Sequence, residues 1–303
     1  MQMKALVTGG AGFVGRYLVR ELLKRKIKTV VFDTMEADTV NDLFPEGTTY
    51  IEGDILDADS LKKTAKGCDL IFHTAAIAEI DEARKNPIRT MNVNVIGTVN
   101  CLEAARANRV KRFCYASSVY ASGNRGSFYR VSKQTGESLC KTYSEDFGLA
   151  YTILRYGSLY GRDPNHWNFI YGVCKDLMTT GEFTYTSSQD AIREYIHISD
   201  AARETVKIAL DEEFSNKSVL ITGHQRLKMK EFFEMIEEIL GRKITVHYES
   251  TKQHRHYIRT PYSIDIDVPA RINLSSYIDI SEGILDCLNE VKREMNDDRK
   301  SHT

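Results

Sequence analysis

Apolar positions along the first half of the chain fall into short runs separated by stretches of helical period. Lys4–Thr8, Thr29–Phe32, Thr48–Ile51, Leu70–Phe72, Phe113–Tyr115 and Tyr151–Leu154 read as strands. Between them, Phe13, Val14, Leu18 and Leu22 recur at the spacing of one helix face, as do the apolar residues from Val95 through Val99, Leu102 and Ala105. Strands alternating with helices predict an α/β fold whose parallel sheet is doubly wound, with helices on both faces and right-handed crossovers. Beyond about residue 160 the pattern loosens. Residues 163–168 read as a loop, followed by helices over Phe169–Met178, Ser199–Leu210 with Ser199 as N-cap, Lys228–Leu240 and Asp279–Met295. Ser218–Thr222 reads as a late strand, and the polar end from Asn296 as a frayed tail. The expected organisation is a first domain over residues 1–165, to which the chain returns at about 193–223, and a smaller α/β lobe within 166–303.

Composition narrows the function classes. A net charge of −1 on 303 residues supplies no field for nucleic acid or an anionic membrane. No run approaches the length of a membrane span, and no signal region precedes the first strand. The six cysteines are scattered without a Cys-x-x-Cys pair, which argues for a reducing, cytoplasmic setting and against a zinc site. His254 and His256 bracket Arg255 without a supporting carboxylate cluster, so no metal site is expected there.

Two segments carry candidate chemistry. Thr8–Gly15 joins the first strand to the first helix, and Gly9, Gly12 and Gly15 let the backbone turn tightly against a pyrophosphate at the helix N-terminus. Asp33 closes the second strand; a carboxylate there accepts from an adenosine ribose and repels a 2′-phosphate, favouring NAD over NADP. Further on, Tyr129 and Lys133 share a helix face behind a strand ending in Ser117-Ser118. An ammonium about 4 Å from the phenol contributes on the order of 4 kcal/mol at an effective dielectric near 20, enough to lower its pKa by about three units before desolvation opposes it. Tyr129 is thus a candidate base for a hydroxyl undergoing oxidation, with Ser118 hydrogen-bonding the substrate oxygen. The spacing alone is weak, since Tyr171/Lys175 and Tyr248/Lys252 share it.

In order along the chain, Thr8–Gly15, Gly53-Asp54, His73–Ala76, Asn94–Thr98, Arg112–Ser118, Tyr129–Glu137, Leu154–Tyr156, Tyr160-Gly161 and Arg193–Asp200 resemble the extended short-chain dehydrogenase/reductase family. Within it, the likeness is to the NAD-dependent nucleotide-sugar epimerase/dehydratase group. The resemblance implies a Rossmann-type sheet with NAD held by Gly9, Gly12, Phe13, Val14, Gly15 and Asp33. It implies that Asp54 and Ile55 contact adenine, Ala75 and Ala76 line the cofactor, Lys133 holds the nicotinamide ribose and Tyr156 borders the nicotinamide. Asn94, Ser118, Tyr129, Ser158 and Arg193 would face a nucleotide sugar, a UDP-sugar first among them, with Arg193 on its diphosphate. A homodimer through the helices around Val95–Asn108 and Tyr129–Phe147 is also implied.

Val119-Tyr120 after Ser118 lacks the Asp-Glu of sugar dehydratases and the cysteine of fucose-synthase-like enzymes, leaving 4-epimerases as the nearest match. The 11-residue interval from Ser118 to Tyr129 is shorter than is usual in the family, and Ser158 replaces a substrate-contacting asparagine. An oxidoreductase with net coenzyme turnover remains the alternative, and a non-catalytic NAD sensor the reading from another class. Trp167 and Arg259 are further candidates, for stacking and for a second phosphate contact.

Overall fold

In the computed structural model, the structure describes residues 2–301 apart from 41, 166–167, 250–269, 273 and 275. Trp167, His254, Arg255, His256 and Arg259 therefore lie outside the described residues. Six strands open the chain: β1 (Lys4–Thr8), β2 (Lys28–Asp33), β3 (Thr48–Glu52), β4 (Leu70–His73), β5 (Arg112–Ser118) and β6 (Tyr151–Tyr156). Short strands β7 (Ser158–Tyr160), β8 (Glu182–Tyr185), β9 (Ile192–His197), β10 (Lys217–Ile221), β11 (Arg226–Lys228), β12 (Thr245–Tyr248) and β13 (Ala270–Arg271) follow. The helices are α1 (Phe13–Lys24), α2 (Ala58–Thr64), α3 (Ile80–Lys85), α4 (Pro87–Met91), α5 (Gly97–Ala107), α6 (Ser127–Phe147), α7 (Phe169–Thr179), α8 (Ile198–Leu210), α9 (Met229–Leu240) and α10 (Ile280–Ser301).

The main sheet runs β13-β10-β6-β5-β4-β1-β2-β3, with every pairing parallel. Strand β1 lies between β2 and β4, Val7 opposite Val31 on one side and Phe72 on the other. The order reverses between β1 and β4, which opens a crevice at their carboxyl ends. Leu18, Val19 and Leu22 of α1 join Ala201, Ala202 and Val206 of α8 against one face of the sheet. Leu61, Leu102, Ala105 and Tyr143, from α2, α5 and α6, cover the other with Leu6, Phe32, Ile71 and Phe113. Burial on both faces explains why the strands read as unbroken apolar runs. A third apolar cluster gathers Tyr160, Ile170, Val173, Leu177, Tyr185, Phe232, Phe233, Ile284 and Leu288 from α7, α9, α10 and the short strands.

Three details depart from the sequence reading. Helix α8 is capped by His197, whose side chain accepts from the Ser199 N–H, so Ser199 lies inside the helix. Helix α10 continues to Ser301, where a frayed tail was expected from Asn296. The stretch Asn92–Ile96, ahead of α5, is a π-helix. Among the described residues, no helix is long and apolar enough to cross a membrane.

Candidate active site

The glycine turn is fixed by close backbone approach. Gly9 has φ +70°, and a Cβ on it would meet the Ala75 nitrogen at 2.4 Å; one on Gly15 would meet the Gly9 oxygen at 2.3 Å. Gly12 caps α1 with no side-chain hydrogen bond, leaving first-turn N–H groups without an internal partner. Gly9, Gly12, Phe13, Val14 and Gly15 line one wall of a cleft of about 1380 Å³. A neighbouring cavity of about 900 Å³ is lined by Asp33, Asp54, Ile55, Ala75 and Ala76. Asp33 accepts from the Ala11 N–H at 2.9 Å and the Met35 N–H at 3.2 Å, which aims its carboxylate along the turn. Asp54 closes an Asx turn through the Leu56 N–H at 2.9 Å.

Across the cleft, β5 delivers Ser118 and α6 delivers Tyr129 and Lys133. Between them the chain makes a 3₁₀ turn over Val119–Ser122 and enters α6 through Gly126 at φ 110° and Ser127 at φ 51°. These successive left-handed residues let the short interval close. Gln134 donates to the Ala121 carbonyl at 2.8 Å and pins the loop to α6. Tyr129 and Ser118 line the same cleft, and the Ser118 Oγ accepts from the Tyr120 N–H at 3.3 Å. The Lys133 ammonium donates to the Ala116 carbonyl at 2.6 Å and lies 5.7 Å from the Tyr129 ring centroid and 5.1 Å from that of Tyr115.

Electrostatics here differ from the sequence expectation. Burial pushes the Tyr129 phenol up to about 12, with the nearby Ser118 hydroxyl acting against it. Burial pulls Lys133 down to about 8, opposed by the Glu137 carboxylate. Desolvation therefore outweighs the pairing that was expected to bring the phenol toward neutrality. The ammonium is also engaged by the Ala116 carbonyl, which draws part of its hydrogen-bonding away from the phenol.

Sequence reasoning assigned no role to Glu137, although Tyr129, Lys133 and Glu137 recur at four-residue steps on α6. Its buried carboxylate accepts from Arg155 Nε at 2.9 Å and Nη2 at 2.8 Å, and from the Ser117 hydroxyl at 2.5 Å. Arg155 in turn reaches the Ser122 hydroxyl at 3.0 Å. The pair thus ties the end of β5, the turn after it and α6 into one frame. Beneath the turn, His73 bridges Thr8 Oγ1 at 2.7 Å and Thr98 Oγ1 at 3.0 Å. Burial, with the Lys133 charge, depresses its pKa to about 3, so it is neutral.

Arg193, Ser158 and Tyr156 also line the cleft. Arg193 is buried and donates to the Tyr185 hydroxyl at 3.3 Å. The Tyr156 hydroxyl turns away to Thr205 Oγ1 at 2.7 Å, so its phenol oxygen serves the core. Asn94 corrects the expectation of a substrate contact. Its amide accepts from the Ile77 N–H at 2.8 Å and donates to the Ile77 carbonyl at 2.9 Å and Ser132 Oγ at 3.0 Å. A side chain so occupied holds the loop after β4 to the π-helix. Tyr171 and Lys175 sit together on α7, where the Tyr171 hydroxyl donates to Glu294.

A doubly wound parallel sheet with a glycine cradle at its switch point and a Ser/Tyr/Lys group across the same cleft defines a dinucleotide-binding α/β protein of enzymatic type. The chain belongs to the NAD dependent epimerase/dehydratase family, whose model matches residues 5–221. Among its relatives is an uncharacterised UDP-glucose epimerase of Bacillus subtilis, 30% identical over 271 residues, covering 81% of this chain and 85% of that one. A UDP-glucose 4-epimerase of Halalkalibacterium halodurans is 26% identical over 275 residues, covering 80% and 82%. In fold, the chain is similar to a UDP-glucuronic acid 4-epimerase of Bacillus cereus, solved with UDP-glucuronic acid and NAD. The TM-score is 0.84 and the identity 23%, covering 96% of this chain and all of that one.

Proposed function

We propose that the chain is an NAD-dependent nucleotide-sugar epimerase that inverts the sugar C4 centre through a transient 4-keto sugar. The observation that carries this reading is the convergence of the Ser118 hydroxyl, the Tyr129 phenol and the buried Lys133 ammonium in one cleft that the glycine turn lines with Arg193. Membership of the family and the similarity to UDP-sugar epimerases support it.

The residues present fit NAD. A Cβ at Gly9 or Gly15 would collide with backbone, so the turn keeps a wall free of side chains, and α1 offers uncapped N–H groups to a pyrophosphate. Asp33 suits a ribose diol and opposes a 2′-phosphate. Lys133 would hold the nicotinamide ribose, with Tyr156 beside the ring and Asp54 and Ile55 at the adenine. Bound there, NAD supplies a hydride acceptor and donor whose oxidised ring is cationic.

The chain's own residues handle the proton. Ser118 hydrogen-bonds the C4 oxygen, and Tyr129 takes its proton, holds it, then returns it to the ketone oxygen once the sugar has presented its other face. Deprotonating a phenol held at about 12 costs about 7 kcal/mol at pH 7. A charged Lys133 at its observed distance from the ring offsets about 3 kcal/mol at an effective dielectric near 20. About 4 kcal/mol remains, so Tyr129 rests as the phenol, and its proton must pass to solvent before the phenolate can accept that of the C4 hydroxyl. Arg193 presents a guanidinium fork to the substrate diphosphate, and Ser158 borders the sugar. Val119-Tyr120 after Ser118 offers no acid to expel a hydroxyl, which separates this reading from dehydration.

Product analysis with a panel of UDP-, GDP-, CDP- and dTDP-sugars, with and without NADH, tests the reading. A new epimer without net coenzyme consumption is the expected result, UDP-sugars first. Consumption of coenzyme in step with product would replace it with an oxidoreductase. A homodimer through α5 and α6 is part of the proposal, supported by half-exposed Phe128 and Val131 on α6; a monomer mass in light scattering would remove it.

A further inference from the structure

Asn165 lines both cavities, so the segment 162–165 borders their junction. This strap is gripped from two directions. On one side, Arg16 of α1 donates to the Asp163 carbonyl at 2.5 Å, Tyr17 donates to the Arg162 carbonyl at 2.9 Å, and Arg20 pairs with the Asp163 carboxylate at 3.4 Å. From the other, Glu290 of α10 accepts the Asp163 N–H at 2.8 Å. The N–H, carbonyl and carboxylate of one residue are thus engaged by elements far apart in sequence. Asp163 also sits at φ 53°, a left-handed conformation that a non-glycine residue keeps when its surroundings over-determine it.

We propose that Arg16, Tyr17, Arg20 and Glu290 latch the strap 162–165 across the junction, and that this latch sets how slowly a bound dinucleotide leaves. The inference rests on the reading of the two cavities as a cofactor site continued by a substrate site. A dinucleotide lying along the glycine turn extends into both cavities and passes the junction that Asn165 borders. Slow release has a chemical use here. If the reduced cofactor left between the two hydride transfers, the sugar would be stranded as a ketone. Arg20 and the Asp163 carboxylate are partly exposed, so their ion pair is the weaker part of the latch. Arg16 and Glu290 are the stronger part, because each pairs a charged group with the Asp163 backbone.

Glu290 gives the sharpest test, because it lines neither cavity. Glu290→Ala removes the acceptor, whereas Glu290→Gln keeps an oxygen that can still accept the Asp163 N–H. Two quantities would be measured. One is the chase-induced release of a fluorescent etheno-adenine NAD from the loaded protein; the other is the tryptic cleavage after Arg162 in cofactor-free protein. The alanine variant should release about tenfold faster, the size of one lost charge-assisted hydrogen bond, and should be cut faster after Arg162. The glutamine variant, which keeps the acceptor and loses the charge, should fall between wild type and alanine in both. Tyr17→Phe should move both rates in the same direction by less, and serves if Glu290→Ala does not fold. Unchanged release in the alanine variant, or a glutamine variant as fast as alanine, overturns the proposal. Wild-type protein that binds no dinucleotide overturns the cofactor reading and the retention role with it, and the cleavage pattern then reports separately whether the strap is latched.

Discussion

Replacing Lys133 by methionine should cost the protein its activity but not its stability. Lys133 is 4% exposed, and burial lowers its pKa from 10.5 to about 8. That fall corresponds to about 3 kcal/mol by which the folded state disfavours the charge at pH 7. Methionine keeps an unbranched stem of similar length and removes the charge. It also removes the hydrogen bond to the Ala116 carbonyl, a loss of about 1–3 kcal/mol. The balance lies between no change and a gain of about 2 kcal/mol, while loss of the cation beside Tyr129 should lower turnover by about 10²–10³-fold. Urea unfolding of cofactor-free protein reads the first quantity and product formation the second. The sign of the pH dependence is fixed. The folded pKa lies below the unfolded one, so the unfolded state binds more protons between pH 8 and 10.5. Wild type should therefore gain on the variant by about 1.4 kcal/mol per pH unit as pH rises through that window, and the two should run parallel below it. A variant more than about 2 kcal/mol less stable at pH 7, or a difference flat from pH 8 to 10, would refute the reasoning.

Tyr129→Phe should lower turnover by about 10²–10⁴-fold with NAD affinity almost unmoved; full turnover in that variant would end the proposed mechanism. Asn94→Ala strands the Ile77 N–H and carbonyl and should cost about 2–4 kcal/mol in chemical denaturation with KM little changed, while a large KM increase at unchanged stability would return Asn94 to the substrate. His73, neutral with a folded pKa of about 3 against 6.5, contributes stability that is present above pH 6.5 and is lost on acidification by about 1.4 kcal/mol per pH unit. His73→Gln should flatten that slope between pH 6.5 and 4, and an unchanged slope would assign the acid sensitivity elsewhere.

What could be read without coordinates was whatever depends on local order. Buried parallel strands need unbroken apolar runs, and the helices over them need one apolar face, so β1 to β6 and α1 announce themselves. The glycine turn is legible for the same reason, since only glycine tolerates φ +70° against the Ala75 backbone. The strands β7, β11 and β13 carry too few residues to show a period, and the pairing partners of the second-half strands lie far away in sequence.

Site chemistry divides along the same line. That a serine, a tyrosine and a lysine come together at a strand end was legible along the chain, because four-residue spacing on a helix and a preceding strand are local facts. What their surroundings do to them depends on how the folded chain closes around them. Burial reverses the expected direction of the Tyr129 shift, Glu137 and Arg155 form the frame beneath, and Asn94 turns inward to clamp Ile77. Desolvation and hydrogen-bond partnership depend on which distant segments close over a residue, and residue spacing along the chain does not encode that closure.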